Sequence, residues 1–235
     1  MPNTENDPLG AAVFDYYNKR VKGPLMINTS YGEPEEMPIE VYFRDFDDML
    51  DLEQIALDQC DVKVLDVGAC AGAHSLFLQG QGHQVTAMDN SAGCITTLKA
   101  QGIKRVQRKD FFRLPPADYG TILMMMNGLG LAGKLSQLVP MLNHMKTLLR
   151  PGGFVLADSS DISYLYEDIT NPLNKYYGEV SFQFEYDGQK GSWFDWLYID
   201  SEILKQQVAI AGWSMEVLYT SEDDAYLVRM WPSSY

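Results

Sequence analysis

Residues 64–74 read VLDVGACAGAH. An apolar run ends in Asp66, and Gly68 and Gly72 follow within one short turn. Glycine lets the backbone turn sharply and lets a ligand come close to it. The stretch from Ala71 to Gln79 reads as a helix, so the turn falls at a helix N-terminus, where free N–H groups and the dipole favour an anion. Asp66 opposes that use. A carboxylate at the strand end repels a pyrophosphate and attracts an amine. The turn therefore points to a nucleotide-like ligand that carries a cation.

Outward from this turn, apolar runs alternate with helical patterns. KVLDVGA, QVTAMD, RVQRKD, YGTILMMMNG and RPGGFVLADSS read as five strands. HSLFLQGQG, SAGCITTLKAQG and KLSQLVPMLNHMKTLL read as the helices between them, the second capped by Ser91 and stopped at Gly102, the third kinked or started at Pro140. Such alternation needs a parallel sheet with helices on both faces, an α/β doubly wound architecture. PLGAAVFDYYNKR reads as a helix starting near Asp7 and Pro8, and Gly23, Pro24, Gly32, Pro34 and Pro38 mark a loop-rich connection after it. Beyond residue 160 the rhythm changes. YYGEVSFQFEYDGQKGSWFDWLYID predicts a hairpin with a loop of four to five residues at DGQKG. A helix, SEILKQQVAIAG, and a last hairpin turning at SEDD follow.

Asp66, Asp89, Asp110 and Asn127 end four successive strands, which a parallel sheet brings to one rim. One such ending is an ordinary turn residue. Four in a row beside a glycine turn point to a ligand. Asp89 lies 17 residues after Gly72, in the range where an acid binds both ribose hydroxyls, and this alone fits NAD as well.

The composition narrows the partners. The 235 residues hold 18 Lys and Arg against 32 Asp and Glu, a formal net charge of −14. No basic groove for a nucleic-acid backbone is visible; KRVQRK at 104–109 reads as a solvated strand edge. The acidic surface also disfavours anionic membranes. No apolar stretch reaches the ~18 residues of a spanning helix, and no signal-peptide pattern opens the chain. Cys60, Cys70 and Cys94 lack metal-ligand spacing and read as reduced thiols. With three histidines, His74, His83 and His144, no metal site is expected. A cytoplasmic protein with no nucleic-acid and no membrane partner is the expectation.

Residues 62–158, about two-fifths of the chain, resemble the class I S-adenosylmethionine-dependent methyltransferases of the small-molecule type. DVGACAG (66–72) is similar to their acid-x-G-x-G-x-G motif, and MDN (88–90) to the acidic second motif. KDFFRLP (109–115) resembles the segment that brackets adenine. ILMMMNGLG (122–130) and LLRPGGFVLAD (148–158) resemble the motifs of the fourth and fifth strands. Cys70 stands at the family's middle glycine. Asn127 is followed by Gly128 and no proline, unlike the tetrapeptide of enzymes that methylate amide or exocyclic nitrogens.

The resemblance implies an enzyme with S-adenosyl-L-methionine as cofactor, acting on a small molecule. It implies a Rossmann-like, mostly parallel seven-stranded sheet with an antiparallel C-terminal hairpin. A helical lid (1–60) would precede the methyltransferase domain (61–235), with a β-hairpin insertion at about 160–200. The cofactor-binding residues it implies are Asp66, Gly68, Ala69, Cys70, Gly72, Asp89, Asn90, Asp110, Phe111, Met126 and Asn127. Tyr16, Tyr17, Tyr42 and Arg44 in the lid are substrate or cofactor candidates; an aromatic face attracts the sulfonium, and Arg44 suits a carboxylate. Lid packing is the plainer reading of each. GSWFDWLY (191–198), with Trp193 and Trp196, reads either as acceptor lining or as an apolar face used in packing or in pairing to a homodimer. No catalytic base stands out. An NAD(P)-dependent oxidoreductase and a non-catalytic S-adenosylmethionine-binding protein are the alternatives.

Overall fold

The computed structural model describes residues 7–166 and 175–233. Helix α1 (Pro8–Tyr17) comes first, with strands β1 (Met26–Thr29) and β2 (Glu35–Glu36) and helix α2 (Asp51–Asp58) after it. The alternating part runs β3 (Lys63–Val67), α3 (Ala73–Gly80), β4 (Gln84–Asp89), α4 (Ala92–Ala100), β5 (Val106–Arg108), β6 (Tyr119–Met124), α5 (Leu135–Leu148) and β7 (Leu149–Ser160). The chain ends with β8 (Glu179–Tyr186), β9 (Gln189–Lys190), β10 (Phe194–Leu197), α6 (Ser201–Ile210), β11 (Trp213–Thr220) and β12 (Ala225–Pro232).

The main sheet has seven strands in the order β11-β12-β7-β6-β3-β4-β5. β3 pairs parallel with β4, with Asp66 opposite Ala87, and β4 with β5, with Asp89 opposite Arg108. β6 and β7 are likewise parallel, whereas β12 runs antiparallel to β7 and to β11. All six residues of β6 are buried, as are Val64 to Val67 of β3, the continuous burial expected of strands covered on both faces. KRVQRK falls at the sheet edge, on β5.

By its internal contacts the chain divides into two compact units. The first takes the chain up to Leu50, Val62–Leu114 and Ser181–Phe194; the second takes Asp51–Asp61, Pro115–Val180 and Asp195 onward. In the first, Ala69, Ala87, Ile95, Leu98 and Ile103 form one core cluster, and Val13, Cys70, Ala71 and Cys94 another. In the second, α5 buries Leu138, Met141, Leu142, Met145 and Leu148 along one face, the spacing of an amphipathic helix.

Two local expectations are corrected, and a third is decided between its alternatives. The connection after α1 is not loop alone: β1 and β2 lie in it, and β1 pairs with β8, with Met26 opposite Glu185. These strands belong to a second sheet, in the order β10-β8-β1-β2 with β9 beside β8. The loop between β8 and β9 has two residues, not four or five. Asp187 and Gly188 both take positive φ, +51° and +73°, as a type I′ turn requires. Helix α5 starts at Leu135, so Pro140 sits inside it. Residues 167–174 of the predicted insertion lie outside the described residues.

Candidate cofactor-binding site

The glycine turn is built from left-handed residues. Gly68, Cys70 and Gly72 have φ of +73°, +49° and +98°. A Cβ on Gly68 would meet nothing within 4 Å, so open space lies beside it. A Cβ on Gly72 would stand 2.7 Å from Leu98 Cδ2, so here packing as well as φ demands glycine. Cys70 carries a side chain in a conformation that costs an L-residue roughly 1–2 kcal/mol.

The turn is fastened on three sides. Gly68 and Ala69 both donate their N–H to the Met88 carbonyl at 3.0 Å. Cys70 donates its N–H to Asp89 Oδ2 at 3.0 Å. The Gln101 side-chain amide, at the C-cap of α4, donates to the Ala71 carbonyl. Asp89 Oδ1 accepts the N–H of Ser91 at 2.8 Å. Burial pushes the Asp89 carboxyl up to about 6, against the pull of these backbone donors. Three backbone donors, Ser91, Cys70 and Asn90, thus hold a carboxylate that offers about four acceptor sites.

Asp66 is buried at the end of β3, where it accepts the hydroxyl of Ser75 at 2.6 Å. Burial raises its carboxyl, opposed by His74 and by the Ser75 hydroxyl. Ser75 escapes the sequence reading because nothing marks a serine nine residues on as the partner of a buried acid. Asp7 has a larger role than starting α1. Its Oδ1 accepts the Gly10 N–H, and its Oδ2 accepts the Ser91 hydroxyl and the Gly93 N–H, so one carboxylate caps both α1 and α4.

Asn90 is exposed, and its carbonyl accepts Arg108 Nε. Asp110 is exposed, caps the short turn Phe111–Arg113 through the Phe112 N–H and pairs with Arg113. Phe111 is buried, edge-on to Phe112, which is the exposed ring of the two.

Of the lid aromatics, Tyr42 reaches the turn, as does its neighbour Phe43. Tyr42 packs against the Val13, Cys70, Ala71 and Cys94 cluster. Burial, with Cys70, Cys94 and Asp89 close by, pushes its phenol well up. Tyr16 packs instead with Phe43, ring centroids 4.8 Å apart, and lines a cavity of about 280 Å³ with Leu25 and Ile39. Tyr17 donates its hydroxyl to the Ala100 carbonyl. Arg44 donates to the Val41 carbonyl and lines a second cavity, of about 290 Å³, with Phe46, Phe77 and Gln101. Trp193 is half exposed.

In the second unit, Met126 is exposed and both Met126 and Asn127 are left-handed, with φ of +61° and +59°. Asp158 holds them there. Its Oδ2 accepts the Asn127 N–H at 2.8 Å and its Oδ1 the Gly128 N–H at 3.3 Å. Among the described residues, neither buried amide atom of Asn127 has a hydrogen-bond partner. Burial raises the Asp158 carboxyl to about 6, with Glu53 adding to the shift. Its signal in the sequence is an acid closing the apolar run FVLAD. Trp196 lies against Gly130, where any Cβ would strike its indole.

Residues 64–153 match a family described as "Methyltransferase domain". The whole chain is similar to a solved S-adenosylmethionine-dependent methyltransferase from Bacteroides fragilis, in complex with S-adenosyl-L-homocysteine. Identity is 37%, coverage 100% of this chain and 98% of that one, and the TM-score 0.91. The chain belongs to the S-adenosylmethionine-dependent methyltransferases. Two more distant structures share the fold. The CcbJ methyltransferase of Streptomyces caelestis has 12% identity, TM-score 0.59, and coverage of 83% and 98%. The sugar N-methyltransferase KedS8 of Streptoalloteichus has 14%, 0.56, and coverage of 84% and 94%. The comparison with curated proteins gave no match. Membership makes the protein an enzyme and decides for S-adenosylmethionine over a dinucleotide. Among the described residues, no helix of this methyltransferase is long and apolar enough to cross a membrane, and no group of three or more His, Cys, Asp or Glu is placed to hold a metal.

Proposed function

We propose that the enzyme methylates a small molecule, with the glycine turn and Asp89 holding the cofactor. The acceptor class rests on one observation: a net charge of −14, which repels a polyanion. S-adenosylmethionine brings an already activated methyl group, so the chain's work is alignment and exclusion of water, worth ~7–11 kcal/mol where positioning is tight.

The residues fit that ligand. The Asp89 carboxylate at the strand end suits a ribose hydroxyl, and the space beside Gly68 lets a ligand approach the backbone. Asp66, buried behind the turn, attracts the amine end and fixes α3 through Ser75. Ala69, Cys70 and Gly72 complete the turn. Asp110 and Phe111 flank the adenine, on the motif they share with the family, and Asn90 joins Asp89 in the acidic second motif. By the same argument Met126 and Asn127 are assigned to the cofactor, and the unpartnered Asn127 amide supports a polar contact there. Residues 1–60 act as a lid, with Tyr42 packed against the turn. Tyr16, Tyr17, Arg44, Trp193 and Trp196 remain candidates for the acceptor side.

The test is formation of S-adenosylhomocysteine over a panel of amines, phenols, carboxylic acids and thiols, with oligonucleotides alongside. Turnover with a small molecule is expected. Turnover with the oligonucleotides alone overturns the reading.

A further inference from the structure

Two thiols meet beneath the glycine turn. Cys70 Sγ and Cys94 Sγ stand 3.8 Å apart. Cys70 is the middle residue of the turn; Cys94 lies in the first turn of α4, where its N–H is held by Ser91 Oγ. Both sit in the cluster with Val13 and Ala71, and Tyr42 packs over them. We propose that Cys70 and Cys94 are an oxidation site, closed by hydrogen peroxide into a reversible disulfide that weakens cofactor binding. This rests on the assignment of the turn to the cofactor.

The sulfurs are in van der Waals contact, and a disulfide needs them at about 2.05 Å. Closing that gap draws Cys70 toward Cys94, which is fully buried in the first turn of α4 and is the fixed partner. Cys70 retains 9% exposure and Cys94 none, so a peroxide reaches Cys70 first. The Cys70 thiolate attacks one peroxide oxygen; the O–O bond breaks, leaving a sulfenic acid and a hydroxide that takes up a proton to become water. The Cys94 sulfur then attacks the Cys70 sulfur. The S–O bond breaks, the S–S bond forms, and a second water leaves with the Cys94 proton. Two thiols are oxidised and one peroxide is reduced to two waters; a dithiol reductant reverses the change. The hydrogen bond to Cys70 and burial push the Cys94 thiol well up, so it holds its proton until that second step.

The consequence for binding comes through the backbone. Cys70 holds Asp89 Oδ2 with its N–H from a narrow left-handed well. Tying its sulfur to α4 rotates that residue and disturbs the bond. The Cys70–Asp89 alignment then no longer matches the cofactor.

The experiment uses the full chain with Cys60→Ser, so that the pair is the only thiol source. Reduced protein is treated with hydrogen peroxide and blocked with a maleimide. Its mass and peptide map are read, and S-adenosylmethionine binding is measured by calorimetry before oxidation, after it and after dithiothreitol. Expected are a Cys70–Cys94 crosslink with loss of two hydrogens, a fall in affinity of about tenfold or more, and recovery on reduction. Cys94→Ala should keep the reduced affinity and lose the response. Over-oxidation of Cys70 without a crosslink overturns the proposal, as does a crosslink that leaves affinity unchanged. Reduced protein that binds no S-adenosylmethionine refutes the cofactor assignment instead, while the mass still decides the pairing.

Discussion

Cys70 and Asp89 are joined by a 3.0 Å hydrogen bond from the backbone of one to the carboxylate of the other, and this bond fixes the glycine turn against the end of the second parallel strand. The acid proposed to receive the ribose also shapes the loop proposed to receive the rest of the ligand.

Burial lifts the Asp89 carboxyl to about 6, so its proton competes with the hydroxyls of a ligand. Affinity for S-adenosylmethionine should fall about tenfold between pH 7 and pH 5 as the carboxylate is lost. Asp89→Asn should bind weakly at every pH with that dependence removed. Calorimetry across the range checks it; a flat wild-type profile would count against the role.

The three left-handed residues of the turn predict an order of stability. Gly72→Ala meets both an unfavourable φ and the Leu98 side chain and should cost about 2–4 kcal/mol. Gly68→Ala meets only the φ and should cost roughly 1–2 kcal/mol. Cys70→Gly gains in φ what it loses in packing and should lie within about 1 kcal/mol of wild type. Urea midpoints in any other order would refute this account of the turn.

Asp158 holds two N–H groups of a left-handed loop, and removing the acceptor leaves them unsatisfied. Asp158→Ala should destabilise the protein by about 2–4 kcal/mol. The folded-state carboxyl titrates near 6, above its unfolded value, so the native state binds more protons between about pH 4 and 6. Its contribution therefore weakens stability as pH rises through that window, by at most about 1.4 kcal/mol per pH unit. In Asp158→Asn the fall in unfolding free energy across the window should be shallower. An unchanged slope would mean that Asp158 adds nothing to the dependence and that Asp89, raised to the same range, carries it.

Tyr42 packs against the cluster beneath the turn, and its ring is proposed to be what the turn needs. Tyr42→Phe should therefore bind the cofactor as wild type does, and Tyr42→Ala about tenfold more weakly or worse. Equal affinities for wild type and Tyr42→Ala, measured on folded protein, would remove the lid from the site.

Much of this was legible before any coordinates. The run into Asp66, the glycine turn, the Ser91 cap and the stop at Gly102 are local signals, and local geometry honours them. The acid after the second strand was visible because strand length and turn length fix its distance from the glycines. What stayed hidden was long-range or unpatterned. Ser75 is one serine among many until β3 and α3 fold together. The partnership of β1 with β8 carries no mark in either segment. The β8–β9 turn was misread for a different reason: Asp187-Gly188 is itself a complete two-residue turn, and the Gln and Lys after it alternate as strand.

The pairing of Met26 with Glu185 also bears on the order of events along the chain. Ends so distant in sequence meet late, because closing the long intervening loop costs entropy before any contact offsets it. The glycine turn and Asp89 lie close together in sequence and need no such closure. Loop closure alone therefore lets the glycine turn form ahead of the pairing of β1 with β8. In the folded enzyme β2 is the edge strand of that sheet and both its residues are exposed, so amides of β1 and β2 should exchange with deuterium ahead of those that donate to the Met88 carbonyl.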